Sequence, residues 1–509
     1  MATKALFNKV VNWFIRQRID QIENFITHPI ETQKGILFSQ LLHCEDTEYG
    51  LKYGFSDISS YSDFRNRVPI VTYEAFEPYI EKARKGEWDV FWPGPIKNFA
   101  KSSGTTNAKS KYIPITDESL EFCHMKAGKD MVSIYANNHP ENQLFSNKNL
   151  RLGGSAELYE NFDTKFGDLS AILIDNLPFW VEMTTIPSKK TSLMSEWEHK
   201  LKAIVSEVKN EQVGSLIGVP SWMMVLLQRV LKETDAKSIT EIWPELEVFF
   251  HGGISFKPYR DTYRKILGKD INYYEIYNAS EGFFGIQDQS NSDEMLLMLD
   301  YGIFYEFIPM DQFHAPNPSV VHLGDVEKNR NYAMVITTNG GLWRYLIGDT
   351  VMFTSLDPFR IKITGRTKHH INAFGEELMI DNVECALAKA CQETGAAVSE
   401  YTGAPVFMSE GENGAHEWIF EFSEKPDQLE KFEMLFDQHL KELNSDYDAK
   451  RYKDITLKKP IIHSARPNLF YHWMESRGKL GGQNKVPRLS NTREYLEPLL
   501  ELNSNKKPA

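Results

Sequence analysis

The chain reads as an α/β protein with one large domain and a second, smaller one. Three observations carry this expectation. Helix-like stretches at 194–210 and 221–234 alternate with short apolar runs at 246–251, 271–277 and 332–338, a pattern that builds helices onto sheets. At 509 residues the chain exceeds one ordinary core, so a second, smaller domain should accompany the first. Polar or glycine-bearing turns follow the strand-like runs at His251-Gly252-Gly253, Asn278 and Gly340-Gly341, and ligands in open α/β sheets gather where strands end.

Composition bounds the function. With 41% apolar and 12% aromatic residues the chain can bury a sizeable interior, and its Phe and Tyr residues suit a core first and an apolar pocket second. The net charge of −13 argues against a nucleic-acid surface or an anionic membrane surface. Cys44, Cys123, Cys385 and Cys391 are too scattered for a disulfide scaffold or a paired metal site and read as free thiols. Residues Met1 to Arg18 alternate apolar and charged positions at helical spacing, which suits a packed amphipathic helix better than a signal peptide. No run approaches the ~20 apolar residues of a membrane span, so a cytoplasmic location is the expectation.

The stretch Phe99-Ala-Lys-Ser-Ser-Gly-Thr-Thr-Asn-Ala-Lys-Ser-Lys-Tyr112 carries the most chemistry. Ser102, Ser103, Thr105 and Thr106 set four hydroxyls beside backbone N–H groups, and Gly104 lets the chain turn tightly, which suits a polyphosphate. The order of residues is not that of a Walker A loop, so adenylation, in which a carboxylate attacks the α-phosphate of ATP, is the expected chemistry. By itself the stretch is also compatible with an ordinary Ser/Thr-rich surface turn. Two further pieces follow in order: Ile271-Asn-Tyr-Tyr-Glu-Ile-Tyr-Asn-Ala-Ser-Glu281, a strand pattern ending in a polar turn, and Ala333 to Phe353, two strand-like runs around Gly340-Gly341 with Asp349 near the second.

Taken with Tyr49-Gly-Leu-Lys-Tyr-Gly-Phe55, Arg67-Val-Pro-Ile-Val-Thr-Tyr-Glu74 and Gly482-Gln-Asn-Lys-Val-Pro-Arg488, these motifs stand along nearly the whole chain. In that order they resemble the auxin-responsive acyl acid amido synthetase family, in its shorter non-plant form, within the adenylate-forming superfamily. The resemblance implies an adenylate-forming fold with an α+β C-terminal lid, the domains being 1–367 and 368–509. The segment Phe359 to Leu378, which includes Gly365-Arg366-Thr367-Lys368, resembles the hinge between them.

Roles follow from the resemblance residue by residue. Ser102, Ser103, Gly104, Thr105, Thr106 and Asn107 would grip the β- and γ-phosphates of ATP, with Ala108 standing where glycine is common. Lys109 and Lys111 would add charge or form a solvated basic turn. Gly252 and Gly253 would approach the adenine edge, Tyr277 would pack on adenine, and Ser280 would face the α-phosphate. Glu281 would orient Mg²⁺, for which one carboxylate with phosphate oxygens and water suffices; outside its motif it would read as a carboxylate at a helix N-terminus. Asp349 would accept hydrogen bonds from the ribose hydroxyls, and Arg366 would lie beside the nucleotide. Arg344 suits either a phosphate or carboxylate partner or an internal ion pair. Lys485 matches the lid lysine that meets the α-phosphate and the acyl carboxylate.

The implied reaction adenylates a small-molecule carboxylic acid and passes the acyl group to an amine, an amino acid by resemblance, releasing AMP and pyrophosphate. An acyl-CoA ligase is the alternative, and a non-catalytic nucleotide-binding homologue is a third reading. No residue names the acid, the acceptor or the oligomeric state.

Overall fold

The run Leu246-Glu-Val-Phe-Phe-His251 has apolar residues on both faces, as a strand covered on both sides must. In the computed structural model it becomes the strand Val248–Gly252, buried at every position, inside a twelve-stranded sheet. The structure describes the chain except residues 1–14, 16, 103–110, 154–157, 162–163, 195, 254–255, 257–258, 314, 368–369, 372–375, 377, 407–413, 445–446, 449–450, 452–456, 479–485, 491 and 505–509. Ser103, Gly104, Thr105, Thr106, Asn107, Lys368 and Lys485 therefore lie outside the described residues, as does the N-terminal stretch 1–14. For Ser102 only the backbone is described.

In chain order the strands are β1 (Asn98–Ser102), β2 (Lys111–Ile115), β3 (Lys148–Leu152), β4 (Tyr159–Asn161), β5 (Thr164–Gly167), β6 (Thr185–Ile186), β7 (Val213–Gly218) and β8 (Val248–Gly252). They continue as β9 (Asn272–Ala279), β10 (Gly282–Ile286), β11 (Met295–Leu297), β12 (Ile303–Pro309), β13 (Val321–His322), β14 (Asn331–Thr338), β15 (Tyr345–Leu356) and β16 (Phe359–Arg366). The large sheet runs β13-β12-β14-β15-β16-β11-β10-β9-β8-β7-β3-β6, and a smaller sheet runs β2-β1-β5-β4. The expected helices at 194–210 and 221–234 appear as Trp197–Val208 and Pro220–Thr234, with Pro220 opening the second as its fixed φ allows. Among the described residues no helix is long and apolar enough to cross a membrane, and the four cysteines are free thiols.

The chain divides into two compact units. The first comprises Met1–Val219, Lys232–Gly253 and Asp270–Ile363, and the second Pro220–Leu231, Ile254–Lys269 and Thr364–Ala509. The first is held by a continuous apolar core that includes Phe99, Phe250, Tyr274, Phe284 and Trp343. A buried ionic knot adds to it: the Arg18 guanidinium donates to both Asp130 and Asp300, Tyr301 donates to Asp130, and Lys126 donates to Asp300.

In the second unit the helices Ile380–Thr394 and Leu429–Leu443 accompany the antiparallel strands Ala397–Val406 and Ala415–Glu424, with Ile461–Ser464 added in parallel. This is an α+β arrangement around Trp418, Phe420, Phe432 and Phe436. The two segments from earlier in the chain join it through specific bonds. Tyr259 donates to the Ser399 carbonyl, Lys265 pairs with Glu424, and Tyr263 donates to the Pro220 carbonyl at the head of the Pro220–Thr234 helix.

Candidate functional site

Strands β3, β7, β8 and β9 are mutually parallel, so their carboxyl ends share one edge, with Leu152, Gly218 and His251 in register and Gly252 beside Ile276. Beyond that edge β9 runs on through Tyr277 to Ala279 and returns as β10 through the two-residue turn Ser280–Glu281. The expected turn at Asn278 therefore comes two residues later, because Asn278 pairs with Phe283 in the hairpin ladder. Glu281 sits in a hairpin turn, which removes the helix N-terminal reading; it is half-buried, and Ser280 is buried.

Gly252 is required by packing alone. A Cβ there would stand 2.5 Å from the Ile276 carbonyl oxygen and force β8 away from β9. Gly253 follows with φ of 83°, in the left-handed region open to glycine.

Asp349 is placed by a bulge. Between the pairs Ala333–Thr350 and Val335–Leu346, β15 runs four residues where β14 runs two, so Ile347, Gly348 and Asp349 swell out of the ladder. Gly348 takes φ of 89° to permit this, and a bulge re-aims the side chains it carries. The buried Asp349 carboxylate accepts a 2.7 Å hydrogen bond at Oδ2 from the Tyr277 hydroxyl, 72 residues away in sequence. In the sheet order β16, β11 and β10 lie between β15 and β9. Laid flat, four strand spacings would separate them by about 19 Å. The sheet must curl to close that gap, as wide twisted sheets do.

On the same strand as Asp349, Tyr345 places its hydroxyl 3.5 Å from Glu281 Oε1. The structure thus brings Tyr277, Ser280, Glu281 and Asp349 into one neighbourhood at the carboxyl edge. The hydroxyl-rich stretch joins the paired residues Ser102 and Lys111 of an antiparallel hairpin, and the Lys111 ammonium lies 5.2 Å from the centre of the Tyr73 ring. Arg366 ends β16 and is half-buried.

Arg344 takes the internal role. Its guanidinium binds both oxygens of Glu306 at 2.8 Å and donates to the Val68 carbonyl within the interior, and it reaches the Arg65 carbonyl at the edge of it. That geometry also explains Arg67 to Glu74: Val71 bridges to Tyr345 through the Arg344 carbonyl and the Leu346 N–H, fastening the segment to the start of β15. Arg344→Ala should cost about 3–5 kcal/mol by stranding Glu306 in the interior. Chemical denaturation will show this as a loss of unfolding free energy.

Lys485 is followed by a well-anchored segment. Thr402 donates to the Pro487 carbonyl at 2.6 Å and the Gly403 N–H donates to the Arg488 carbonyl at 3.0 Å. The Arg488 guanidinium donates to the Tyr259 hydroxyl, lies 3.4 Å from Glu400 and stacks 4.5 Å from the Tyr401 ring centre. Neither Arg488 nor Tyr345 was given a role by sequence reasoning, since both act through partners from distant segments.

Chemically, a buried carboxylate with one oxygen already bonded presents a fixed acceptor to neutral hydroxyls. The half-buried Glu281 supplies a hard carboxylate oxygen of the kind Mg²⁺ prefers, so the residues present fit a Mg²⁺–phosphate complex.

Three domain comparisons cover most of the chain: the GH3 family N-terminal domain matches residues 18–271, its central domain 296–366 and its C-terminal domain 381–494. A jasmonoyl–L-amino acid synthetase of Nicotiana attenuata is 23% identical over 418 residues, 68% of this chain and 71% of that protein. A probable indole-3-acetic acid-amido synthetase of Arabidopsis thaliana is 22% identical over 558 aligned positions, 94% of this chain and 92% of that protein. The solved structure of GH3.15 acyl acid amido synthetase superposes with a TM-score of 0.77 at 18% identity, over 96% of this chain and 98% of that one. A 2-hydroxyisobutyryl-CoA ligase in its postadenylation state superposes with a TM-score of 0.59 at 15% identity, over 92% and 91% of the two chains. The chain belongs to the GH3 family.

Proposed function

We propose that this protein is an ATP-dependent ligase that adenylates a carboxylic acid and transfers the acyl group to an amine, an amino acid being the favoured acceptor. The observation that carries the reading is the meeting of Tyr277, Glu281 and Asp349 at the carboxyl edge of the parallel strands, in a chain of the GH3 family. One relative is named as a jasmonoyl–L-amino acid synthetase and another as a probable indole-3-acetic acid-amido synthetase, and both names favour the amide product.

Asp349 would hold the ribose hydroxyls, Ser280 would face the α-phosphate, and the stretch from Ser102 to Asn107 would hold the β- and γ-phosphates. Gly252 and Gly253 would border the adenine, with Arg366 beside the nucleotide. Glu281 would hold Mg²⁺, which when bound neutralises phosphate charge. A carboxylate oxygen of the acid attacks the α-phosphorus and the bond to pyrophosphate breaks. The amine nitrogen then attacks the acyl carbon, the bond to the adenylate oxygen breaks, and the amine proton passes to solvent as AMP leaves. Residues 368–509 would act as a lid that carries Lys485 to the α-phosphate for the first step and withdraws it for the second.

The test is a pyrophosphate-exchange screen across carboxylic acids, followed by amino acids and CoA as acceptors of the active acid. Acid-dependent exchange and an amide product support the reading. Exchange followed by a thioester and no amide would establish the acyl-CoA ligase, the alternative favoured by the likeness to the CoA ligase fold. Glu281→Ala should slow exchange by roughly 100-fold, the effect of losing several kcal/mol of charge stabilisation. Exchange at the wild-type rate in that variant would remove the metal role.

A further inference from the structure

We propose that Tyr277 is a positioning residue whose hydroxyl sets the orientation of the Asp349 carboxylate for the two hydroxyls of the nucleotide sugar. This rests on the reading of Asp349 as the ribose acceptor and goes beyond it, because it moves the work of Tyr277 from its ring to its oxygen.

Four features of the fold hold that oxygen in place. The Tyr277 side chain is only 4% exposed, with its ring 4.8 Å from the Phe284 ring and tilted 53° to it. Phe284 is the extra residue of a bulge in β10, where Phe283 pairs with Asn278 and Gly285 pairs with Tyr277. The opposing bulge in β15 presents Asp349. The bond between them is 2.7 Å and buried at both ends, a distance typical of a hydroxyl donating to a charged oxygen. Two bulges on strands far apart in the sheet order therefore converge on a single hydrogen bond, and bulges of this kind re-aim side chains.

The physical consequence is preorganisation. A carboxylate free to rotate loses that freedom when it binds a diol, and it also gives up solvating water. With Oδ2 held by Tyr277 the plane of the carboxylate is set before the sugar arrives, so the ordering cost is met on folding. The phenylalanine variant keeps the ring, its packing on Phe284 and any contact with a base, and removes only the oxygen.

The experiment measures equilibrium binding of ATP and of 2′,3′-dideoxy-ATP to the wild type, Tyr277→Phe, Asp349→Ala and the double variant, with thermal melting as a check on folding. The expected result is that Tyr277→Phe weakens ATP about tenfold, as loss of a hydrogen bond to a charged group implies, and leaves the dideoxy nucleotide within about twofold. In the Asp349→Ala background the same change should alter ATP binding by no more than about twofold, because the carboxylate it positions is gone. If the wild type discriminates between the nucleotides and Tyr277→Phe discriminates as sharply, the positioning role is overturned while the ribose role of Asp349 stands. Equal losses for both nucleotides would likewise overturn it, pointing to a contact with the base or to a structural role. If the wild type binds both nucleotides alike, the ribose reading fails and the positioning role falls with it.

Discussion

Asp349→Ala should raise the ATP concentration for half-maximal pyrophosphate exchange by roughly 10- to 100-fold and leave the rate at saturating ATP within a few-fold of the wild type. The carboxylate is proposed to contact the sugar, whose bonding changes little as the α-phosphorus reacts, so its loss is one of uniform binding. Hydrogen bonds to a charged acceptor contribute about 1.5–3 kcal/mol, which sets the size of the effect. Because the Tyr277 hydroxyl loses its buried partner in this variant, some loss of stability should accompany it. Thermal melting separates the two effects. A fall in saturated rate with unchanged ATP dependence would place Asp349 in the chemical step instead.

Lys485→Ala should lower the rate of adenylate formation by roughly 100- to 1,000-fold, the range found when one preorganised charge-stabilising donor is removed. The second half-reaction should be largely kept, since the proposed lid withdraws this lysine before the amine attacks. Supplying preformed acyl-adenylate and acceptor to the purified variant isolates that step. Equal losses in both half-reactions, with the fold intact by circular dichroism, would contradict the assignment. Val486 to Leu489 give the experiment a structural control, because Pro487 and Arg488 are tied to the sheet of the second unit by bonds that do not involve the Lys485 side chain.

The elements with strong local signals were legible in the sequence. The runs 246–251, 271–277 and 332–338 became Val248–Gly252, Asn272–Ala279 and Asn331–Thr338, because apolar density and turn residues at the ends are local properties. The turn after β9 was misplaced by two residues because Asn278, polar in sequence, is held by its cross-strand partner Phe283. Arg344 stayed ambiguous for a related reason: its partner Glu306 lies 38 residues away on β12, and only the pairing of β14 with both β12 and β15 brings the two together. Gly252 was read for its approach to a ligand, yet its contact with Ile276 would require glycine even without one. The Tyr277–Asp349 bond depends on two bulges and on the curl of a twelve-stranded sheet, and neither has a signature in residue order. Nor did the sequence show that segments 220–231 and 254–269 belong with the C-terminal unit, since the bonds that tie them there, from the buried Tyr259 and Tyr263 and the exposed Lys265, run to partners far away in sequence.

In the proposed reaction the acid is activated on the α-phosphorus and an amine takes the acyl group from the adenylate. The most direct measurement follows oxygen. An acid active in the exchange screen, labelled with ¹⁸O in both carboxylate oxygens, is turned over with ATP and an amino acid, and the products are weighed by mass spectrometry. One labelled oxygen is expected in AMP and one in the amide, because the bridging oxygen leaves with the phosphate when the acyl carbon is attacked. Label in inorganic phosphate with formation of ADP, and none in AMP, would show activation at the γ-phosphate and contradict the proposed reaction.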